Sequence, residues 1–447
     1  MTNEKYGLIG KTLVHSYSKE IHEALGRYQY QLFSLAEDEM PDFINARDFR
    51  GLNVTIPYKK DVIPLCDEVT DLARGIGAVN TLFWKNASGA GASESISQEN
   101  KILVGHNTDY EGFLYAASRA GIDFEGKGVL ILGTGGTSLM ARRAAADHNA
   151  AKIYIASRHP ETDPPSGSEI QDAGILSTVS YDQLPEIADS IDVIVNTTPV
   201  GTFPNNMQQV IRLKDFPGCQ AVIDVIYNPF KTALLLEAEK LGLKYTNGLP
   251  MLVAQATAAA GYFLGTLGAF QKENQRIIKS MKQRMGNIVL IGMPGTGKSL
   301  IGKFLAELTG KTLQDTDAKI EEEAKMTIPE IFEKEGEAGF RDRESAICKK
   351  LGKERNLIIA TGGGAILRPE NVDALRQNGT LVHITRSIDK LPTRGRPLSK
   401  NIETLKKMEA QRMPLYKAAA DITFRNNYTC SRKKLRQRVN TYILEKL

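Results

Sequence analysis

Short apolar runs rich in Val and Ile alternate with longer stretches of helical spacing from one end of the chain to the other. That alternation predicts an α/β fold with largely parallel sheets, because a parallel strand needs a crossover helix to return to its partner. Val129-Leu-Ile-Leu132, Lys152-Ile-Tyr-Ile-Ala-Ser157, Asn287-Ile-Val-Leu-Ile291 and Leu357-Ile-Ile-Ala-Thr361 read as strands of this kind. Two segments interrupt the pattern. Residues 86–100 (NASGAGASESISQEN) are rich in Gly, Ala and Ser and read as a hairpin loop, and 159–168 (HPETDPPSGS) as a second loop. From Gln271 to Gly286 the chain turns strongly polar before a fresh strand begins at Asn287, which marks a boundary between two parts.

A chain of 447 residues exceeds one core, and at about 100–200 residues per domain about three domains are expected. Charge is divided unevenly between the parts. From Gly286 onward 30 Lys and Arg face 20 Asp and Glu, against 27 and 32 before it. A basic domain suits anionic ligands such as nucleotides or nucleic acid. Nucleic acid is not expected, because no aromatic-and-basic platform accompanies the charge. The run Ser431-Arg-Lys-Lys-Leu-Arg-Gln-Arg438 reads instead as the solvated side of a terminal helix. No apolar run reaches about 18 residues, so no membrane span is expected, and Met1-Thr2-Asn3-Glu4-Lys5 lacks the layout of a signal peptide. Four scattered cysteines (Cys66, Cys219, Cys348, Cys430) make neither a disulfide framework nor a zinc site and fit a reducing cytoplasm.

The most specific local signal is Gly292-Met-Pro-Gly295-Thr296-Gly297-Lys298-Ser299, set directly after a strand and opening an amphipathic helix. This is a phosphate-binding loop in its required context. Glycines let backbone N–H groups converge on phosphates at a helix N-terminus, Lys298 neutralises the β/γ-phosphates, and the Ser299 hydroxyl ligates Mg²⁺. The motif by itself specifies nucleotide binding. Downstream lie Asp315-Thr316-Asp317, Gly339-Phe340-Arg341, Gly362-Gly363-Gly364, Arg394-Gly-Arg396-Pro-Leu398 and Gln411-Arg412-Met-Pro-Leu-Tyr416. Each is weak alone, but in this order after such a loop they make residues 287–447 resemble shikimate kinase. The resemblance implies that Gly295, Thr296, Gly297, Lys298, Ser299 and Leu300 bind ATP. It implies Asp317 as the base at the attacking hydroxyl and Asp315, with Ser299, as support for Mg²⁺. Arg341 and Arg412 would grip the substrate carboxylate as planar forks, while Gly362, Gly363 and Gly364 bring backbone to the ring. Arg396 would arrive from a lid to balance phosphoryl charge. The segment 386–396 is shorter than the lid of many relatives, so Arg394 or Lys390 share that candidacy.

In the front part, Val129-Leu-Ile-Leu-Gly133-Thr-Gly135-Gly136-Thr-Ser-Leu139 is a strand, a glycine turn and a helix start, with Ser138 at the third glycine position of a dinucleotide fingerprint. The next strand ends in Ser157-Arg158, a hydroxyl and a cation suited to a 2′-phosphate, so NADP is favoured over NAD. Around it stand His15-Ser16-Tyr17-Ser18, Asn53-Val-Thr55-Ile-Pro-Tyr-Lys59, Gly77-Ala-Val-Asn80-Thr and Gly105-His-Asn107-Thr-Asp109. Further on come Asn196-Thr-Thr-Pro199-Val-Gly201, Asp224-Val-Ile-Tyr227-Asn-Pro229 and Asn247-Gly248-Leu-Pro-Met251-Leu-Val-Ala-Gln255. The ordered set resembles shikimate dehydrogenase over residues 1–266. Departures are local: Lys11-Thr12 and Lys19 stand where prolines are expected, Thr202 where Met is, and Pro250 where Gly is.

Ketone reduction needs a proton donor near the developing alkoxide. The resemblance assigns that work to Lys59, paired with Asp109, and substrate binding to Ser16, Ser18, Thr55, Asn80, Asn107, Tyr227 and Gln255. NADP would lie on Gly133, Gly135, Gly136, Ser157, Arg158 and Gly248. His15, His22 and His106 are read as structural, and no metal is expected in this part. The implied architecture is a two-lobed dehydrogenase followed by a kinase. Its substrate-binding lobe is 1–108 completed by 238–275, its Rossmann lobe 109–237, its linker 276–286, and its phosphate-loop kinase domain with a parallel sheet 287–447.

The two resemblances name successive steps on one molecule, NADPH-dependent reduction of 3-dehydroshikimate to shikimate and its ATP-dependent phosphorylation to shikimate 3-phosphate. A monomer or small homo-oligomer acting on small molecules is expected. One rival is a quinate-type dehydrogenase fused to another small-metabolite kinase; Arg158, Arg341, Gly362 to Gly364 and Arg412 argue against it. The other is a nucleotide-sensing module without turnover, which predicts a degraded Lys298 or Asp317, and both are intact.

Overall fold

The computed structural model describes residues 5–13, 16–86, 101–162, 174–391, 402–427 and 431–447. The chain forms two compact units. Met1–Gly201, Gln208–Phe230 and Glu237–Lys279 make the first; Thr202–Met207, Lys231–Leu236 and Ser280–Leu447 make the second.

Two six-stranded sheets build the first unit. One runs in the order Tyr30–Ser34, Tyr6–Gly10, Gly51–Val54, Thr81–Asn86, Lys101–His106, Glu68–Val69. It is mixed where parallel pairing was expected to prevail: Thr81–Asn86 lies antiparallel to both of its neighbours. Antiparallel partners need no crossover helix, so the short route between Thr81–Asn86 and Lys101–His106 suffices. Residues 87–100, read as that hairpin loop, lie outside the described residues, as do 163–168 of the second loop.

The other sheet is parallel throughout, in the order Lys244–Thr246, Ala221–Asp224, Val193–Asn196, Gly128–Leu132, Lys152–Ser157, Leu176–Ser180. Strand order reverses between Gly128–Leu132 and Val193–Asn196, and ligands bind beyond the carboxyl ends of strands at such a reversal. Val129, Ile131, Val193, Val195 and Ile223 pack there with Phe113, Met140 and Ala144.

A five-stranded parallel sheet centres the second unit, ordered Thr312–Asp315, Leu357–Ala360, Asn287–Ile291, Gly379–Thr385, Ile422–Arg425. Successive strand side chains point to opposite faces. Val289, Ile291, Ile359 and Leu381 therefore join one core with Ile331 and Phe340, and Ile288, Leu290, Ile358 and Val382 another with Ile301 and Leu305. Burial on both faces is why these strands read as unbroken apolar runs. The helix Arg432–Ile443 buries Leu435, Val439 and Ile443 and leaves Arg432, Lys433, Lys434 and Arg436 exposed.

The stretch 276–286, read as a linker, lies in the helix Asn274–Met285, whose Ile277, Ile278, Met281 and Met285 are buried. Buried Lys311 donates to the carbonyls of Arg284 (2.7 Å) and Gly286 (2.8 Å), and burial pushes its pKa down to about 8. No helix among the described residues is long and apolar enough to cross a membrane.

Candidate active sites

In the first unit, loops leaving Gly51–Val54 and Lys101–His106 carry the segments Thr55–Lys59 and Asn107–Asp109. They meet where Lys59 Nζ donates to Asp109 Oδ2 at 2.5 Å, both side chains being about three-quarters buried. Lys59 is held from behind by its own carbonyl, which accepts from Val79 N at 2.8 Å. Asp109 opens the helix Asp109–Arg119. In that helix Gly112 admits Gly248–Phe263, since a Cβ on Gly112 would stand 2.9 Å from Gln255 Cβ. Close helix packing thus sets Gln255 beside the Lys59–Asp109 pair.

A cavity of about 420 Å³ is lined by Lys59, Asp109, Ser16, Ser18, Thr55, Asn80, Tyr227, Gly248 and Gln255. Asn80 Oδ1 accepts from Thr108 N at 2.7 Å and from Thr81 Oγ1 at 2.9 Å, which fixes the residue before Asp109. Asn107 is not part of the lining. Its amide donates to Ala78 O at 2.8 Å and its Oδ1 accepts from Asp109 N at 3.1 Å, so its side chain shapes the turn that presents Asp109. The lining also includes Thr12, Tyr17 and Thr137, which the sequence reading did not single out. Tyr17, whose ring meets Tyr227 edge-on at 6.1 Å, lies between two chosen serines, and that adjacency was the available signal. His15 lies outside the described residues. His22 is buried among Tyr28, Tyr30 and Phe263, and His106 bonds Thr70 and Glu111.

At the other sheet, Gly133 takes φ 100°, open to glycine and strained for other residues. Side chains at Gly135 and Gly136 would meet open space at the start of the helix Gly136–Asp147, leaving room for phosphate at its N-terminus. Ser138 is buried and its Oγ accepts from Arg142 Nε at 3.2 Å, so the third fingerprint position is filled by a contact inside the helix. Ser157 ends its strand buried, its Oγ accepting from His159 N at 2.9 Å, while Arg158 is exposed. Burial raises the pKa of the Tyr181 hydroxyl, and the charge of Arg158 opposes that. A dinucleotide bearing a 2′-phosphate suits this open glycine turn with its hydroxyl and exposed guanidinium.

In the second unit the loop Gly292–Gly297 joins the strand Asn287–Ile291 to the helix Lys298–Thr309. Gly295 (φ 86°) and Gly297 (φ 96°) hold its left-handed turns. Asn426 Nδ2 donates to Thr296 O at 2.7 Å and occupies the space a Gly297 side chain would need. Lys298 Nζ bonds the carbonyls of Gly292 (2.7 Å) and Met293 (3.1 Å). Ser299 Oγ donates to Asp315 Oδ2 at 3.1 Å, and Asp315 Oδ1 caps the helix Thr316–Ala324 by accepting from Asp317 N at 3.0 Å. A hydroxyl and a carboxylate side by side suit Mg²⁺, which is held by one or two such oxygens with water and phosphate.

A cavity of about 590 Å³ joins Gly295, Gly297, Lys298, Ser299, Leu300, Asp315, Asp317, Arg341, Gly362, Gly363, Gly364 and Arg412. Thr296 lies beneath it, buried, with its hydroxyl donating to Met293 O at 3.0 Å. The three glycines leave room for groups from other elements: a side chain on Gly362 would strike Asp317 and Glu344, one on Gly363 would strike Pro294, and one on Gly364 the Arg341 guanidinium. Gly363 O accepts from Arg412 Nη1 at 2.9 Å and Tyr416 Oη at 2.6 Å. Burial pushes the Asp317 carboxyl up to about 6, with Asp315 and Glu344 adding to it and Lys298 opposing. Asp317 Oδ1, Glu344 Oε1 and Arg412 Nε are buried and lack a hydrogen-bond partner among the described residues, a set that a bound ligand would satisfy. Glu344 went unread in the sequence; its signal was the opposite charge three residues after Arg341, whose Nη1 donates to Glu344 Oε2 at 2.7 Å. Arg394 and Arg396 lie outside the described residues, and exposed Lys390 bonds Asn427 O at 3.2 Å.

Comparison with known proteins places both parts of the chain among known families. Residues 8–82 match the family model for the shikimate dehydrogenase substrate binding domain, and residues 294–447 match that for shikimate kinase. Shikimate dehydrogenase (NADP(+)) of Clostridium perfringens is 34% identical over 262 residues, spanning 57% of this chain and 90% of the relative. Among solved structures, a chorismate mutase/shikimate 5-dehydrogenase fusion protein from Clostridium acetobutylicum is 32% identical with a TM-score of 0.54, covering 63% of this chain and 98% of that one. Quinate dehydrogenase from Corynebacterium glutamicum in complex with NAD is 26% identical with a TM-score of 0.53, covering 62% and 99%. The chain belongs to the shikimate dehydrogenase family and carries a shikimate kinase domain behind it, the pairing of a bifunctional shikimate-pathway enzyme.

Proposed function

We propose that the first unit reduces 3-dehydroshikimate to shikimate with NADPH, and that the second transfers the γ-phosphoryl group of ATP to the 3-hydroxyl of shikimate. The observation that carries the reading is common to both cavities. Each sets a group able to move a proton among groups able to bind an acidic polyol: Lys59–Asp109 among serine, threonine and amide groups, and Asp317 in one cavity with Arg341 and Arg412.

In the first site Ser16 and Ser18 hold the carboxylate, and Thr55, Asn80 and Gln255 bond the ring hydroxyls, which aims the ketone at Lys59. Asn107 serves by shaping the Asp109 turn, and Tyr227 stands toward the nicotinamide end. NADPH supplies the hydride. Lys59 gives its proton to the oxygen as charge develops there, and Asp109 holds the ammonium in place. The lobes we assign to this work are 1–108 with 238–275 for substrate and 109–237 for cofactor, joined through 276–286 to the kinase at 287–447. Arg158, with Ser157, selects the 2′-phosphate, which favours NADPH over the NAD named for the quinate dehydrogenase relative.

In the second site Arg341 and Arg412 fix the shikimate carboxylate, and the glycine run brings backbone against the ring. Asp317 accepts the proton of the attacking hydroxyl; a carboxyl raised toward neutrality is a better base than an ordinary one. Ser299 and Asp315 would hold Mg²⁺, which would shield the phosphates, and Lys298 neutralises the charge that the phosphoryl group carries across. Arg396, with Arg394 and Lys390 as alternatives, supplies a further cation.

The test compares substrates on the intact chain. NADPH oxidation is measured with 3-dehydroshikimate and with 3-dehydroquinate, and ADP release with shikimate, quinate and gluconate. Preference for 3-dehydroshikimate and for shikimate supports the reading. Preference for 3-dehydroquinate, or for gluconate, overturns the corresponding half.

A further inference from the structure

We propose that Glu335 and Arg343 form a positioning brace, spanning a break in the helical stretch Ile328–Lys353, that sets where Arg341 meets the substrate. The proposal rests on the reading of Arg341 as a carboxylate anchor. Inside that stretch Gly336 takes φ 72° and ψ −174°, which interrupts the helix and is open to glycine alone without strain. The ladder of backbone bonds that would otherwise fix one half against the other is therefore broken at that residue.

Both halves line one site. Ile328, Pro329 and Phe332 line the cavity from before the break, and Phe340, Arg341 and Glu344 from after it. Across the break, Arg343 Nε donates to Glu335 Oε2 and Nη2 to Oε1, both at 2.8 Å, as a two-pronged fork. Gly339 makes room for this crossing: a Cβ there would sit 2.5 Å from Glu335 Cβ and 3.1 Å from Oε2. Arg341, two residues before Arg343, turns inward instead, held by Glu337 (3.2 Å) and Glu344 (2.7 Å) against Gly364. Neither Glu335 nor Arg343 is part of the cavity lining, so the pair acts on the substrate through Arg341 and the wall that carries it. The Phe332–Phe340 ring pair, 4.8 Å apart, also crosses the break, but ring stacking tolerates sliding that a fork of two bonds does not.

The test uses the full chain, whose dehydrogenase rate and KM for ATP serve as internal controls. Arg343→Met, Glu335→Gln and the double variant are compared for KM and kcat with shikimate. The expected result is a KM for shikimate raised about tenfold in either single variant, with kcat and the controls within about twofold. The double variant is expected to be no worse than the singles, and Arg343→Lys to recover part of the loss. Unchanged KM for shikimate in both single variants overturns the brace while the reading of Arg341 stands, provided Arg341→Met raises that KM. Unchanged KM in Arg341→Met overturns the underlying reading, and the brace with it. Should Arg343→Met lose the controls as well, Glu335→Gln, which removes only charge, decides the outcome alone.

Discussion

Asp317 and Glu344 converge on one glycine: a Cβ on Gly362 would stand 2.6 Å from Asp317 Oδ1 and 2.9 Å from Glu344 Oε1. Both oxygens are buried and lack a hydrogen-bond partner among the described residues. Burial, then the charges of Asp315 and Glu344, raise the pKa of Asp317, while Glu344 is raised by burial against the pull of Arg341. The kinase cavity therefore gathers two buried carboxyls that hold their protons more tightly than usual.

The folded protein consequently gives up stability for Asp317. Its folded pKa of about 6 lies above the ordinary 3.8, so the folded state holds the proton more tightly. Stability falls as pH rises from about 4 to about 6, and the full cost, on the order of 2–3 kcal/mol, applies above that window. Asp317→Asn, studied in metal-free buffer, is expected to raise the Tm of the kinase unit at pH 8 more than at pH 5, while kinase turnover falls by about 10²-fold or more. Calorimetry at the two pH values checks the first claim. A lowered Tm at pH 8 contradicts it.

The 2.5 Å contact from Lys59 Nζ to Asp109 Oδ2 makes a separable prediction for the other activity. Lys59→Met removes the proton donor and should lower dehydrogenase kcat by about 10²- to 10⁴-fold, with a smaller change in KM. Asp109→Asn keeps the shape and loses the charge that holds the ammonium, so a smaller fall in kcat is expected. ADP release with shikimate should stay at the parent rate in both. A KM effect with unchanged kcat would place the pair in binding alone.

Exposed Arg158 at the end of its strand is the cation available to a 2′-phosphate, with Ser157 beside it. Arg158→Ala should raise KM for NADPH by about tenfold or more and leave the NADH reaction unaltered. Equal losses with both cofactors would show that Arg158 supports the fold rather than the choice between them.

Glu344 accepts from Arg341, the proposed carboxylate anchor. Glu344→Gln keeps one acceptor for Arg341 Nη1 but removes the charge, so KM for shikimate is expected to rise several-fold, about 1 kcal/mol in binding. Saturation curves for shikimate at fixed ATP measure this. An unchanged KM would free Arg341 from dependence on Glu344.

What was legible in the sequence was the short-range chemistry. A strand, a glycine turn and a helix occupy under twenty consecutive residues at Val129–Leu139 and again at Asn287–Ser299, so backbone conformation, phosphate room and helix start are all written locally. Unbroken apolar runs revealed strands buried on both faces. The hairpin reading of 86–100 already implied the antiparallel pairing of Thr81–Asn86 with Lys101–His106; its antiparallel pairing with Gly51–Val54 was less legible, since nothing in the strands themselves marks their direction. The Gly336 break hid inside a continuous helical pattern, because its partners Glu335 and Arg343 become neighbours only once the chain bends. Asn107 looked like a substrate ligand in its motif, yet its amide is committed to Ala78 O, a bond between residues far apart in sequence. Glu344 was missed for the converse reason: its spacing suggests a surface ion pair, and only tertiary packing buries it.

The central claim is that one chain performs both steps in order, and a single incubation tests it. The chain is mixed with 3-dehydroshikimate and NADPH, with and without ATP and Mg²⁺, following NADPH absorbance and assaying for shikimate 3-phosphate. NADPH should be consumed in both mixtures, one equivalent per ketone, with the phosphate ester appearing only where ATP and Mg²⁺ are present and only after reduction. Consumption of NADPH without any phosphate ester, or no oxidation at all, would contradict the account.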